Sequence, residues 1–236
     1  MKTTTANKPA NRLTGNGDSV INKTREITPI KRVDLDVRMI EITIKGTERL
    51  VLHAWSEKAQ WMILKKQLGE ASAGKERRDP VADFKAAGYR LPGGGGFGFP
   101  AVAIKSAAVS AAGDVELKKV NLRRAFHVVG DLIKIEAPPI TEPLTAEDSQ
   151  YGPQIKEEHK YGASMRSDMV RIGMGVADVR FRPQFVDWQA SFTVRYNARV
   201  VTVEQLTNLF NTAGFGVGIC EHRPEKNGSW GTFKVI

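Results

Sequence analysis

The sequence predicts an α+β fold built on an antiparallel sheet, and three observations predict it. Trp188, Ala190, Phe192, Val194 and Tyr196 alternate strictly with polar or small residues, the period of a half-buried strand. Thr202 and Gln205 have capping-box spacing ahead of Leu206, Leu209 and Phe210, which share one helix face. Strand-like segments over residues 217–221 and 231–235 follow, joined by HRPEKNGSW. The order strand, helix, strand, strand is half of a ferredoxin-like unit.

The upstream elements read in order. Ile40, Ile42 and Ile44 alternate with Glu41, Thr43 and Lys45, which is strand periodicity. Gly46 and Thr47 make a turn, and residues 50–54 return as a second strand. Ser56 reads as an N-cap with Glu57 in the first turn, and a helix runs through Trp61, Leu64, Lys65 and Leu68 to a stop at Gly69. Residues 70–80 are a charged loop. LPGGGGFGFP, residues 91–100, is nearly bare backbone. An Ala-rich helix, AVAIKSAAVSAAG, follows it, with Pro100 suited to the first turn. Residues 126–135 lean towards strand. Residues 137–164, with Pro138, Pro139, Pro143 and Pro153, read as a long loop or insertion. A second strand-rich block covers residues 169–181. The predicted organisation is a flexible basic arm over residues 1–34 and one α+β domain over 35–236.

Composition bounds the function. The 236 residues suffice for one large domain or two small ones. Hydrophobic residues at 41% and charged residues at 26% exclude wholesale disorder. No run of eighteen apolar residues predicts a membrane span, and the polar opening MKTTTANKPANRLTGNGDSV offers no export signal. The single cysteine, Cys220, excludes an internal disulfide framework and a multi-cysteine zinc site. A reducing, cytoplasmic setting is therefore expected, the host cytoplasm if the chain is phage-encoded. A formal net charge of +9 and a pI near 9.7 point to a polyanionic partner. Seven basic residues against two acidic ones in residues 1–32 put more than half of that charge on the arm. The arm is either a mobile tail or a segment that lies on phosphates or a neighbouring subunit.

Enzymatic motifs are lacking. Gly93, Gly94, Gly95, Gly96 and Gly98 precede a helix, and Gly214, Gly216 and Gly218 follow one. The second run passes from helix into strand, the reverse of a dinucleotide fingerprint. A P-loop needs glycine before Lys-Ser, but Ile104 precedes Lys105 and Ser106. His53, His127, His159 and His222 form no metal-ligand pair, and Cys220 and His222 are too close in sequence for zinc or for a nucleophile and its base on a strand. No metal and no cofactor is expected. The glycines instead let a polyanion approach main-chain N–H groups beside Lys105, His222, Arg223 and Lys226. Arg123 and Arg124 open one strand block. Arg166, Arg171, Arg180, Arg182, Arg195 and Arg199 fall on or beside the second, where Arg180 and Arg182 share a strand face. Arginines interleaved with Phe or Trp suit phosphates and stacked bases.

Two segments carry a family resemblance. GFGFPAVAIKSAAVSAA resembles the segment of the CRISPR-associated RAMP (repeat-associated mysterious protein) superfamily that reads approximately I-P-G-S-S-L-K-G-A-L-R and opens a helix. AGFGVGICEHRPEKNGSWGTFKV resembles that superfamily's C-terminal glycine-rich loop. Residues 53–59, 98–105 and 216–225 are also similar to motifs of a group of uncharacterised bacteriophage proteins. The resemblance spans residues 38–236. It implies a modified RNA-recognition, ferredoxin-like core with insertions and glycine-rich loops, and the activity of a CRISPR backbone subunit that polymerises along single-stranded RNA. It implies that Lys105 and Ser106 face the nucleic-acid backbone, and that Gly214, Gly216, Gly218 and Arg223 form the glycine-rich loop. Ala101, Val102 and Ala103 stand where the family has small hydroxyl residues, and no counterpart of the family's catalytic Asp is present, which points to binding without cleavage.

The expected function is a non-catalytic binder of single-stranded RNA or DNA that self-assembles into a homo-oligomer, at its extreme a helical filament, without contact to membranes. The alternative is a phage structural or assembly protein of tail or capsid. A third reading is a metal-independent RNA endonuclease using His222.

Overall fold

Four strands far apart in sequence meet in one sheet. The computed structural model describes residues 34–70, 77–172 and 175–236; the arm expected over residues 1–34 lies outside them, Asp34 excepted. Residues from Leu35 onward form one unit. The strands are β1 (Val37–Gly46), β2 (Leu50–Val51), β3 (Tyr89–Arg90), β4 (Phe97–Pro100), β5 (Phe126–Val128), β6 (Leu132–Lys134), β7 (Ser164–Ile172), β8 (Val176–Phe185), β9 (Gln189–Asn197) and β10 (Phe233–Val235). The helices are α1 (Glu57–Gln67), α2 (Pro80–Ala86), α3 (Ala101–Ser110), α4 (Lys119–Ala125), α5 (Ala146–Tyr151), α6 (Lys156–His159) and α7 (Val203–Gly216). They make a four-stranded sheet, β10-β1-β9-β5, and two three-stranded sheets, β2-β8-β7 and β3-β4-β6, with antiparallel pairing throughout.

The four-stranded sheet is a complete ferredoxin-like unit. Taken as β1, α3, β5, β9, α7, β10, its chain order is strand-helix-strand twice, and its spatial order is fourth, first, third, second. The sequence shows only the second half because 54 residues, 47–100, separate β1 from α3. Alternation decides which face is covered. Ile42, Ile44, Ala190, Phe192, Val194, Tyr196, Phe126 and Phe233 point one way and are buried. Phe210 of α7 packs edge-on to Phe126 and to Phe192, each at 5.8 Å between ring centres. Such pairs contribute roughly 0.5–1.5 kcal/mol beyond their buried area.

Both ends of the expected local structure hold. Thr202 and Gln205 form the capping box of α7. Ser56 caps α1 by accepting from the Ala59 N–H. Other segments differ from expectation. Residues 50–54 do not pair with β1; Leu50 and Val51 pair with β8, since β9 and β10 occupy both edges of β1. Arg123 and Arg124 lie in the last turn of α4, not at the start of a strand, because Leu122 and Ala125 bury at helical spacing and β5 begins only at Phe126. Residues 217–221 are a turn. Gly218, Cys220 and His222 all have left-handed backbone (φ 67°, 61° and 51°), which no strand accommodates. The insertion over 137–164 holds α5 and α6. Buried Asp148 ties it down, accepting from the Ser164 hydroxyl (2.6 Å) and the Met165 N–H (2.7 Å).

Candidate nucleic-acid interface

The uncovered face of the four-stranded sheet follows from the same alternation. Opposite each buried residue stands an outward one: Met39, Glu41, Thr43 and Lys45 on β1, Gln189, Ser191, Thr193 and Arg195 on β9, His127 on β5 and Lys234 on β10. Register sets Lys45 directly across from Lys234, and His127 directly across from Arg195. Like charges directly opposite on a sheet are destabilising. Among the described residues none of these four has a carboxylate partner; the acidic side chains on this face are Glu41 and, bridged to Gln189 at the edge, Glu136, which accepts from the Gln189 amide at 3.2 Å. Between the two pairs the Thr43 and Ser191 hydroxyls share a hydrogen bond of 2.8 Å. From Gln189 to Arg195 the face runs roughly 20 Å by the strand rise. Among the described residues its strands present no Phe, Tyr or Trp there: Trp188, Phe192 and Tyr196 are all core.

Helix α3 joins this face to a groove. Lys105 extends past the Phe126 ring, and its ammonium donates to His127 Nδ1 at 3.2 Å. The next residue, Ser106, is exposed on a groove of about 290 Å³ between α3 and residues 217–225. Gly218 and Arg223 line the other wall, with His53, Tyr89, Cys220, Glu221 and Glu225. The structure therefore brings Ser106, Gly218 and Arg223 together on the groove, with exposed Val102 of α3 among its lining, and leaves Lys105 at the sheet edge beside His127. The glycine run over residues 93–96 is elsewhere, where Tyr161 donates to the Gly94 carbonyl at 2.8 Å. Gly214 is buried in α7, where a Cβ would lie 2.0 Å from the Phe233 carbonyl oxygen; close packing requires that glycine. Gly216 faces open space beside Phe215, which is 86% exposed. Arg223 is engaged by Glu225 (2.9 Å) and the Cys220 carbonyl, whereas exposed Lys226 has no described acidic partner.

Three arginines of the second strand block, Arg166, Arg180 and Arg182, are tied up. Arg182 is 2% exposed and holds Asp168 at 2.8 Å and Glu221 at 3.0 Å. Arg180 holds Asp178 at 2.9 Å, and Arg166 holds Asp168. They do share a face, as the alternation requires, but its charges are offset in place. Trp230 sits on it, with the Arg166 guanidinium 4.2 Å from its ring centre and His222 edge-on at 4.5 Å. His222 also faces Arg182 across 3.5 Å.

Titration follows these surroundings. Burial, then the charges of Lys105 and Arg195, hold the His127 imidazole below its ordinary value. His53 beside Glu221, helped by Arg182, lowers that carboxyl. Burial pushes the Cys220 thiol up to about 12, so it is no nucleophile at neutral pH. Among the described residues no group of His, Cys, Asp and Glu could hold a metal, and no helix is long and apolar enough to cross a membrane.

His127, Lys45 and Lys234 went unseen as site residues in the sequence. Alternation alone put the outward residues of each strand on one face, but only register puts cation across from cation. No family model and no curated protein matches the chain. Among solved structures, the crystal structure of Cmr6 from Pyrococcus furiosus is similar at 11% identity, over 86% of this chain and 100% of that one, with a TM-score of 0.39.

Proposed function

We propose that the protein binds single-stranded RNA or DNA without cleaving it, as a RAMP-like subunit that also self-associates. One observation carries this reading: the open face of the ferredoxin-like sheet sets Lys45 against Lys234 and His127 against Arg195, with no acidic partner at either place among the described residues. A sheet tolerates such pairs most easily when an anion lies over them. The strand's phosphates run over this face, turn at Lys105 and pass along α3 to Ser106, Gly218 and Lys226. Arg123 and Arg124, exposed in the last turn of α4 just before β5, add charge near the same edge. Arg180, Arg182 and the buried Gly214 take no part in it. Bases meet no Phe, Tyr or Trp on the sheet, so readout is of the backbone, and exposed Phe215 is an aromatic side chain within the glycine run.

The test is fluorescence anisotropy of a labelled single strand across salt concentrations. Affinity falls steeply with salt if phosphates are neutralised, and a flat profile between low and physiological salt defeats the reading. A duplex of the same length binds more weakly.

A separate observation favours the assembly reading. Helix α1 buries none of its residues, and Trp61, Met62, Ile63 and Leu64 are exposed along it, with Trp55 and Leu68 at its ends. An apolar surface of that kind marks contact with another chain. Sedimentation velocity separates the two readings: a monomer at every concentration removes self-assembly and leaves strand binding standing.

A further inference from the structure

We propose that Lys105, His127 and Arg195 form a single phosphate-binding cluster, and that His127 takes up a proton from solvent as the phosphate docks. The proposal rests on the strand-binding reading for its ligand, a phosphate diester, although the same chemistry admits a free phosphate group.

Three elements build the cluster. Strand β5 is the edge of its sheet, and its outward residue is exposed His127. Strand β9 places exposed Arg195 directly opposite, which brings Cβ atoms to roughly 5 Å in an antiparallel pair. Helix α3, on the covered side of the sheet, sends Lys105 past Phe126 to the same edge, 3.2 Å from His127 Nδ1. Two permanent cations thus converge on one imidazole. Among the described residues no carboxylate reaches any of the three, whereas Arg166, Arg180, Arg182 and Arg223 each have one. In the free protein Lys105 donates to Nδ1, which requires a neutral ring with its proton on Nε2.

A phosphate placed among these groups changes that balance. Its charge offsets Lys105 and Arg195, the two groups whose charges act on His127 from α3 and β9. Lys105 turns from Nδ1 to a phosphate oxygen, and the freed nitrogen accepts a proton. The imidazolium then donates to the phosphate, adding a third charge-assisted contact. Binding raises the His127 pKa from a value held low in the free protein, so binding takes up protons. Affinity therefore rises as pH falls through the bound-state value and levels off below the free-state value.

The experiment uses the full chain and two probes, a labelled single-stranded oligonucleotide and inorganic pyrophosphate. Affinity for each is measured from about pH 8 to about pH 5.5, the window of an ordinary histidine. The His127 ring is followed by NMR in the same samples. The expected result is that oligonucleotide affinity rises several-fold towards low pH and that the His127 titration moves up on binding. His127→Gln flattens the profile. Lys105→Gln and Arg195→Gln each weaken binding by about tenfold, and each lowers the steepness of the salt dependence by about one counterion. If the strand binds with an unchanged pH profile in His127→Gln, the cluster is overturned and the strand-binding reading survives. If pyrophosphate shifts His127 but no strand binds, the cluster stands for a free phosphate and the strand reading falls. If neither probe moves the His127 titration, the inference is wrong.

Discussion

The open face of the ferredoxin-like sheet and the outer face of the β7–β8 hairpin are both rich in basic residues, yet they are electrostatic opposites. On the hairpin Arg166, Arg180 and Arg182 are each within about a hydrogen bond of Asp168, Asp178 or Glu221. On the open face Lys45, Lys234, Lys105 and Arg195 have no acidic partner among the described residues. A count of arginines favours the hairpin; the positions of the carboxylates favour the sheet. The first arrangement is neutralised within the fold, and the second leaves its charge unpaired.

The sharpest way to break this contrast is Arg182→Leu. Its guanidinium is almost wholly buried and bridges Asp168 and Glu221, which keep only Arg166 and His53 when it is lost, so its removal costs about 2–3 kcal/mol in urea denaturation. A cost below about 1 kcal/mol would mean that the hairpin charges are not structural. Gly214→Ala follows, at about 1–3 kcal/mol, because the new methyl meets the β10 backbone and disturbs the edge that carries Lys234. Lys45→Gln with Lys234→Gln comes next and has two signs. Strand affinity falls by about tenfold, while thermal stability rises slightly as a like-charge pair is removed. Arg180→Gln, on the hairpin, leaves affinity within about twofold by the same logic. Thr202→Ala removes the cap of α7 and costs about 1 kcal/mol without touching affinity. The smallest effect is acidification. Arg78 lowers the Asp178 carboxyl, and His53 lowers that of Glu221. Depressed carboxyls stabilise the fold above their ordinary values, and that contribution is lost as pH falls through the depressed ones. Denaturation midpoints should fall between about pH 5 and pH 3 in the native chain, and less in Asp178→Asn.

The elements were legible wherever a short-range rule writes them. Alternation marked β1 and β9, the Thr202–Gln205 spacing marked α7, and Ser56 marked α1. The turn over 217–222 was missed because its left-handed residues include Cys220 and His222, which announce no such backbone. Arg182 and Arg195 look alike in sequence, each on a strand of alternating pattern. Nothing local says that the first faces Asp168 and the second faces His127.

By itself the sequence determined the α+β class, the inward faces of β1 and β9 and the basic surplus, because periodicity and charge are properties of neighbouring residues. Only the tertiary structure decided that β1, β5, β9 and β10 share a sheet, that α3 joins its open face to the groove, and which cations remain unpaired. Those outcomes depend on register between segments far apart in sequence, from His127 and Arg195 to Ile44 and Val235, where cross-strand distance sets whether two charges cancel or add.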